Sequence, residues 1–314
     1  MALGPGDPLW YYKVLGLHCD GTNGSTTITD VKGKTATRVG NVQISTAQYP
    51  PLTGKSSSLY FDGTGDYITY ANSTDWAFGS GDFTVRLWCR PASAQLDYLI
   101  HRGTSTGYTA WSIYWNGTNS KFGTDGSITG SGYAWAFYSA STYSLDTWHL
   151  VELIRSGTTI YLLVDGAVEG TATSVSGSLM SESSTMKIGS DNGGVYQYTG
   201  YMSEIEVYKG AALNTSAYTP SSDPFFDTYV RASGTTKDSS GTLASRLVRV
   251  YRRDTGVLVG SSLSNGTTGE WSVTAADSGT TTPMKHFAIC FDATADPPGT
   301  PTENGLIYDN ITPY

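Results

Sequence analysis

The sequence predicts an all-β protein of two domains, and three observations carry that prediction. First, its 314 residues include 37 Gly and 22 Tyr while charged residues make up only 15%. Thr, Ser and Tyr suit strands, Gly, Asn and Asp suit tight turns, and the straight-chain helix formers come in no long runs. Second, apolar and polar residues alternate with a period of two in short runs bounded by Gly, Asn, Asp and Ser, the pattern of a sandwich or barrel. Third, Ala217-Tyr-Thr-Pro-Ser-Ser-Asp-Pro-Phe-Phe226 sets two prolines among small polar residues, which no central strand accommodates, and marks a domain boundary near residue 224.

Residues 1–12 read as an N-terminal arm, because Met1–Trp10 holds two prolines and two glycines ahead of Tyr11 and Tyr12. The rings of Trp10, Tyr11 and Tyr12 have no evident partner in a sandwich and are candidate anchors for docking on another subunit. Residues 13–224 form the first domain. Its strand candidates are Ser58–Asp62, Asp66–Tyr70, Phe83–Arg90, Trp148–Arg155, Thr159–Val164, Met186–Gly189 and Tyr201–Tyr208. Between the β-rich runs at Ile160 and Val168, Asp165-Gly166 predicts a two-residue hairpin whose turn needs positive φ. Residues 225–314 form the second domain. There Arg246–Arg253 and Val257–Gly260 flank an Asp254-Thr-Gly256 turn, and Gly269–Val273 and His286–Phe291 add strands, which suits a small immunoglobulin-like or prealbumin-like sandwich.

The formal charge is −8, and 12 of the 19 Lys and Arg precede residue 225 against 18 of the 27 Asp and Glu, so neither domain is basic. Arg246, Arg249, Arg252 and Arg253 lie beside Asp254 and read as a solvated strand face, so nucleic acid is not expected as a partner. No run approaches the roughly 18–20 apolar residues that span a bilayer, and membrane insertion is not expected. Met1-Ala-Leu-Gly-Pro-Gly-Asp7 has neither the basic nor the apolar part of a secretory leader, which points to an unprocessed, cytosolically made protein. Cys19, Cys89 and Cys290 are odd in number and set in apolar runs, as expected of buried reduced thiols rather than a disulfide framework.

A family resemblance rests on segments in order along the chain: Leu15-Gly-Leu-His-Cys-Asp20, Gly40-Asn-Val-Gln-Ile44, Leu59-Tyr-Phe-Asp-Gly-Thr-Gly-Asp-Tyr-Ile68, Phe78-Gly-Ser-Gly-Asp-Phe-Thr-Val-Arg-Leu-Trp88, Asp146-Thr-Trp-His-Leu-Val151, Arg155-Ser-Gly-Thr-Thr159 and Gly200-Tyr-Met-Ser-Glu-Ile-Glu-Val-Tyr-Lys-Gly210. Together they resemble the laminin-G-like, concanavalin-like lectin domains of tailed-bacteriophage tail and virion proteins, over about residues 10–225. The resemblance implies an antiparallel jelly-roll sandwich. Arg249-Val-Tyr-Arg-Arg-Asp-Thr-Gly256, Gly269-Glu-Trp-Ser272 and Asn304-Gly-Leu-Ile-Tyr-Asp-Asn-Ile-Thr-Pro313 resemble a C-terminal module of phage particle proteins. The implied role is a non-enzymatic structural component exposed on the virion, as tail fibre, head fibre or capsid decoration, made in the bacterial host cytoplasm. Implied partners are other virion proteins, met through the arm with the module around Trp271 and Tyr308 distal, and copies of the chain itself, a trimer being favoured. A soluble carbohydrate-binding module for a bacterial surface polysaccharide is the alternative, and a polysaccharide depolymerase a third reading.

Fold does not settle function, so each constellation has to be weighed by itself. Glucanases of this fold carry carboxylates at alternate strand positions, which Glu204-Ile205-Glu206 echoes, but the third carboxylate is missing and no catalytic residue is assigned. His18, His101, His149 and His286 are isolated and read as structural. The family's structural calcium is held by a loop near the first strand and an acid on the last; here Asp20, Asn23, Asp30 and Glu204 are the candidate ligands, set against a reading as ordinary turn residues, because Ser203 replaces one family carboxylate. Tyr133, Trp135 and Phe137 alternate as if on one strand face, with Tyr138, Tyr143, Tyr196 and Tyr198 in neighbouring loop-like sequence. Sugar rings stack on such aromatics, so Tyr133, Trp135, Tyr138, Tyr143, Tyr196 and Tyr198 are glycan-binding candidates, set against a reading as sandwich core or protein interface.

Overall fold

The structure is a computed structural model that describes residues 9–104, 108–181 and 183–225, then 231–235, 242, 246–252, 258–265, 267–268, 270–274, 286–292 and 307–311. The chain divides into two compact units, Tyr12–Phe225, and Met1–Tyr11 with Phe226–Tyr314.

The Tyr12–Phe225 unit is built from β1 (Lys13–Leu17), β2 (Thr37–Val39), β3 (Gln43–Ser45), β4 (Ser58–Asp62), β5 (Tyr67–Tyr70), β6 (Phe83–Pro91), β7 (Leu96–Gly103), β8 (Thr109–Asn116), β9 (Lys121–Gly126), β10 (Trp135–Tyr138), β11 (His149–Ser156), β12 (Thr159–Val164), β13 (Ala167–Ala172), β14 (Met186–Ile188) and β15 (Thr199–Lys209). These strands make two antiparallel sheets. One runs β13-β12-β11-β6-β15-β4-β3 with β1 also on β15, and the other runs β10-β9-β8-β7-β14-β5-β2. The sandwich is a concanavalin-like jelly roll, as the sequence predicts.

Period-two alternation explains the core. Phe83, Val85, Leu87 and Cys89 of β6, Val151 and Leu153 of β11 and Val207 of β15 join Trp111, Ile113 and Trp115 of β8, Phe122 of β9 and Ile188 of β14 in one buried cluster. Between β12 and β13 the predicted hairpin is present, with φ of 51° at Asp165 and 78° at Gly166. A Cβ on Gly166 would run into the Tyr218 carbonyl, so both the turn and the packing require glycine there.

The proline-containing segment before residue 225 is a strap over the outer face of the eight-stranded sheet. Leu213 N donates to Thr84 Oγ1 at 3.0 Å, the Tyr218 hydroxyl donates to Glu152 at 2.7 Å, and the Arg86 guanidinium lies 3.8 Å from the Phe225 ring centroid. Beneath it Glu206 pairs with Lys13 and Arg86. Every charge named on this face therefore has a partner.

The described strands of the other unit are β16 (Arg231–Thr235), β17 (Arg246–Arg252), β18 (Leu258–Leu263), β19 (Glu270–Thr274), β20 (His286–Asp292) and β21 (Ile307–Ile311). They form two antiparallel sheets, β16-β19 and β18-β17-β20-β21. The strands predicted around Asp254-Thr-Gly256 are β17 and β18, paired antiparallel. The turn itself and the side chains of Trp271, Cys290 and Tyr308 lie outside the described residues.

Candidate functional site

The outward face of the seven-stranded sheet is unlike the rest of the surface. On β8, Trp111, Ile113 and Trp115 point into the core, so Ser112 and Tyr114 point out; on β9, Phe122 points in, so Gly123 and Asp125 point out. On β7 a bulge at Leu99 sends both Leu99 and Ile100 into the core and leaves Tyr98 and His101 on the outward face, three residues apart. The register sets two adjacent rows. Tyr98 pairs with Tyr114, Tyr114 with Gly123, and Gly123 with Tyr138; Lys187 pairs with His101, His101 with Ser112, and Ser112 with Asp125.

Tyrosine rings step across this face. The Tyr196, Tyr98, Tyr114 and Tyr138 centroids are separated in turn by 6.0, 5.4 and 5.8 Å. Gly123 makes the room, because a Cβ there would lie 2.5 Å from Tyr114 Cζ. Tyr196 is held by a rigid turn in which Asp191 Oδ1 accepts from the Val195 and Tyr196 amides at 2.8 and 3.0 Å, and the Tyr98 amide donates to the Tyr196 carbonyl. Tyr133 stands beside Tyr108, with centroids 4.8 Å apart. The outer rings are well exposed: Tyr133 49%, Tyr138 42% and Tyr196 43%.

Asp125 lies among these rings. Ser112 Oγ donates to its Oδ1 at 2.5 Å, and among the described residues nothing hydrogen-bonds Oδ2 and no cation pairs with the carboxylate. Burial pushes its pKa up to about 6 against the Ser112 hydrogen bond; burial first, and then the Asp125 charge, raise the phenols of Tyr98, Tyr114 and Tyr133. Burial also holds His101 down to about 4. His101 Nε2 lies 3.2 Å from Thr109 Oγ1, while His101 Nδ1 and Asn192 Oδ1 are buried without a hydrogen-bond partner among the described residues. Lys187 donates to the Asn192 carbonyl at 3.2 Å and covers the Tyr67 ring at 4.3 Å.

Three of the six predicted glycan-binding rings, Tyr133, Tyr138 and Tyr196, are thus displayed here, and three are not. Trp135 is 3% exposed, donates to Thr124 Oγ1 at 3.1 Å and fills the space over Gly126; it belongs to the core. Tyr198 is fully buried, edge-on to Phe61, with its hydroxyl on the Tyr201 carbonyl. Tyr143 is half-buried between Phe122 and His149. The predicted common face of Tyr133, Trp135 and Phe137 does not form, because β10 starts at Trp135 and Tyr133 sits in the preceding loop. Tyr98, Tyr114, Ser112 and Asp125 went unnoticed in the sequence, although Asp and Gly at alternate positions of Lys121-Phe-Gly-Thr-Asp-Gly126 are a signal, since both are depleted in strands.

The calcium candidates do not converge. Asp30 is spent on backbone, accepting from the amides of Gly16, Lys32 and Lys34, and Asn23 Oδ1 accepts from the Thr46 amide. Asp20 and Glu204 do meet, but around an ammonium: Lys55 Nζ donates to the His18 carbonyl and Asp20 Oδ1 at 2.5 Å each and to Glu204 Oε1 at 2.8 Å. Glu204 also faces His18 Nδ1 at 2.9 Å and accepts from the Phe225 amide at 2.8 Å. Burial raises the Glu204 carboxyl, but the His18 hydrogen bond and the Lys55 charge outweigh it and hold the group below the ordinary value; burial lowers Lys55, and Glu204 and Asp20 raise it above its own. Lys55 supplies positive charge where a calcium would bring it, so these residues do not fit the ion. The same pairing engages Glu204, and Lys13 and Arg86 engage Glu206, so the two alternate carboxylates do not share an open cleft.

Of the arm residues, Tyr11 is 59% exposed and Trp10 half-buried. Tyr12 is half-buried on the first unit, its carbonyl accepting from the Lys209 amide at 2.8 Å and its ring lying near Gly210.

Comparison with known proteins gives a matching outline. No curated protein matches the chain. Among solved structures, the binding domain of Paraclostridial Mosquitocidal Protein 1 is similar, with a TM-score of 0.51 at 13% identity over 92% of this chain and 73% of that one. The binding domain of botulinum neurotoxin serotype G aligns with a TM-score of 0.48 at 11% identity, over 94% and 72%. Domain 4 of AbnA, a GH43 extracellular arabinanase from Geobacillus stearothermophilus solved with arabinotriose, aligns with 0.43 at 14%, over 58% and 84%. At 13% identity the likeness to the first of these speaks for the fold alone. Residues 62–217, within the first unit, match the family model described as the concanavalin A-like lectin/glucanases superfamily.

Proposed function

We propose that the chain binds carbohydrate, non-enzymatically, through the outward face of the seven-stranded sheet. The observation that carries this reading is Asp125: a carboxylate with one oxygen unpartnered, raised to about 6 by burial, among tyrosines whose outer members are exposed. Sugar hydroxyls donate to such an oxygen while the apolar face of the ring stacks on tyrosine, the usual division of labour in a site of few polar groups set among aromatics. Buried polar atoms normally find partners, and the orphaned His101 Nδ1 on the same sheet and Asn192 Oδ1 in the turn after β14 agree with a site that a ligand or water completes. The arabinotriose in the AbnA complex belongs to that protein; here it only suggests which probes to try first. A polysaccharide array tests the reading. Binding that falls at least tenfold in Tyr138→Ala and Tyr196→Ala supports it, and a blank array with folded protein, or binding indifferent to both changes, refutes it.

The setting proposed for this activity is a tailed-phage particle, with the chain an exposed, self-associating structural component that meets the host surface. Its support is the sequence resemblance. Mass spectrometry of purified particles tests it, and absence of the chain from them refutes it.

A further inference from the structure

We infer that this face takes electroneutral, hydroxyl-rich glycan chains and rejects carboxylated ones, an inference that rests on the carbohydrate-binding reading and specifies its ligand. The fixed polar group among the exposed rings is a carboxylate, which when ionised only accepts hydrogen bonds. Its hydroxyl neighbour Ser112 already points its proton at Oδ1, leaving Oδ2 to be met by a donor from outside. Among the described residues no cation pairs with it. Lys187 shares its row, but three strand spacings away, about 14 Å at ~4.8 Å each, and is tied to Asn192 and Tyr67. A second acid on this side, Asp191, is folded back on the amides of Gly193, Val195 and Tyr196.

A neutral sugar brings hydroxyl donors to Oδ2 and an apolar face to Tyr138 or Tyr196. A uronic acid, or any sugar bearing a carboxylate, brings a second negative charge into a partly desolvated site that already holds one, and like charges there oppose each other far more strongly than in water.

The test starts from a panel of neutral polysaccharides, a glucan, a galactan, a mannan and an arabinan, beside pectate and alginate. The best neutral binder with a primary hydroxyl is then converted in graded steps to its C6 carboxylate, so that backbone and linkage stay constant. At pH 7.5 the wild-type protein is expected to bind a neutral polymer and to lose about tenfold or more in affinity on oxidation. Asp125→Asn is expected to weaken binding of the neutral polymer and to shrink the oxidation penalty. Preference for pectate or alginate, or an affinity unchanged by oxidation, overturns the inference and leaves the carbohydrate reading standing. Failure to bind any polymer overturns both. The wild-type series needs no variant to fold.

Discussion

Replacing Asp125 by Asn should make the domain more stable at neutral pH, because the wild-type carboxylate is ionised where burial resists it. Burial raises its pKa from the ordinary 3.8 to about 6, opposed only by the Ser112 hydrogen bond. Between those values the folded state holds more protons than the unfolded state, so this group's contribution to stability falls as pH rises through that window and stays low above it. At ~1.36 kcal/mol per pKa unit the full penalty is about 3 kcal/mol, and about 2 kcal/mol after allowance for the water that still reaches the carboxylate. Asn keeps an acceptor for Ser112 and carries no charge. Urea titrations at pH 4 and pH 7.5 should show Asp125→Asn stabler by about 2 kcal/mol at the higher pH and nearly equal at the lower. In melting temperature that is about 4–8 °C for a domain of this size. His101, held down to about 4, works with the opposite sign: its stabilising effect grows as pH rises towards 6.5. Asp97, raised to about 6 by burial, works with the same sign as Asp125. Both cancel in the wild-type minus variant difference. A variant no stabler than wild type at pH 7.5, or a difference independent of pH, would refute the argument; the predicted result would identify a residue kept against stability, as binding residues often are.

Three further outcomes follow from the geometry. Lys55→Met strips the buried Glu204 carboxylate of its ammonium partner and should cost about 3–5 kcal/mol in urea unfolding, while millimolar calcium should leave the wild-type midpoint unmoved; a calcium-induced rise would show that an ion competes with Lys55. Gly123→Ala pushes the Tyr114 ring outward, so glycan affinity should drop several-fold at a stability cost near 1 kcal/mol, with an unchanged circular dichroism spectrum. Trp135→Ala empties a core position and should cost about 3–5 kcal/mol, seen as a fall in the denaturation midpoint; a wild-type midpoint with lost sugar binding would move Trp135 back to the ligand side.

Strands and turns were legible in the sequence because their signal is local. The run Thr159-Ile-Tyr-Leu-Leu-Val-Asp-Gly166 displays its period and its turn within eight letters, and β12 and the following hairpin stand where they are expected. The site was not legible in the same way, because it depends on register. Trp135 faces inward because it pairs with Gly126, whose missing side chain leaves a slot for the indole, and neither residue announces the other. The bulge at Leu99, which places Tyr98 and His101 on one face, shows only when β7 is laid against β8. Lys55 was equally hidden, lying 35 residues from Asp20 and 149 from Glu204 in an unremarkable Leu52-Thr-Gly-Lys-Ser56 turn.

The two outer faces of the sandwich are finished differently, and the difference argues for where recognition occurs. On the eight-stranded sheet, Glu206 is shared by Lys13 and Arg86, Glu152 is met by Asn214 and Tyr218, and Phe225 lies over Arg86. Buried charge there is neutralised by groups of its own chain, and a strap keeps it from water. On the seven-stranded sheet Tyr138 and Tyr196 stay exposed, Asp125 Oδ2 has no hydrogen-bond partner among the described residues but is reached by solvent, and His101 Nδ1 is buried without a partner. An unmet buried polar group costs about 1–3 kcal/mol, and such groups occur on both sheets: Trp148 Nε1 and His149 Nε2 at the eight-stranded sheet, His101 Nδ1 on the seven-stranded one. What sets the seven-stranded face apart is therefore not its unmet groups but its exposed tyrosines around Asp125, and under the proposed reading the chemistry that meets an acceptor-only carboxylate among such rings is that of a hydroxylated ring.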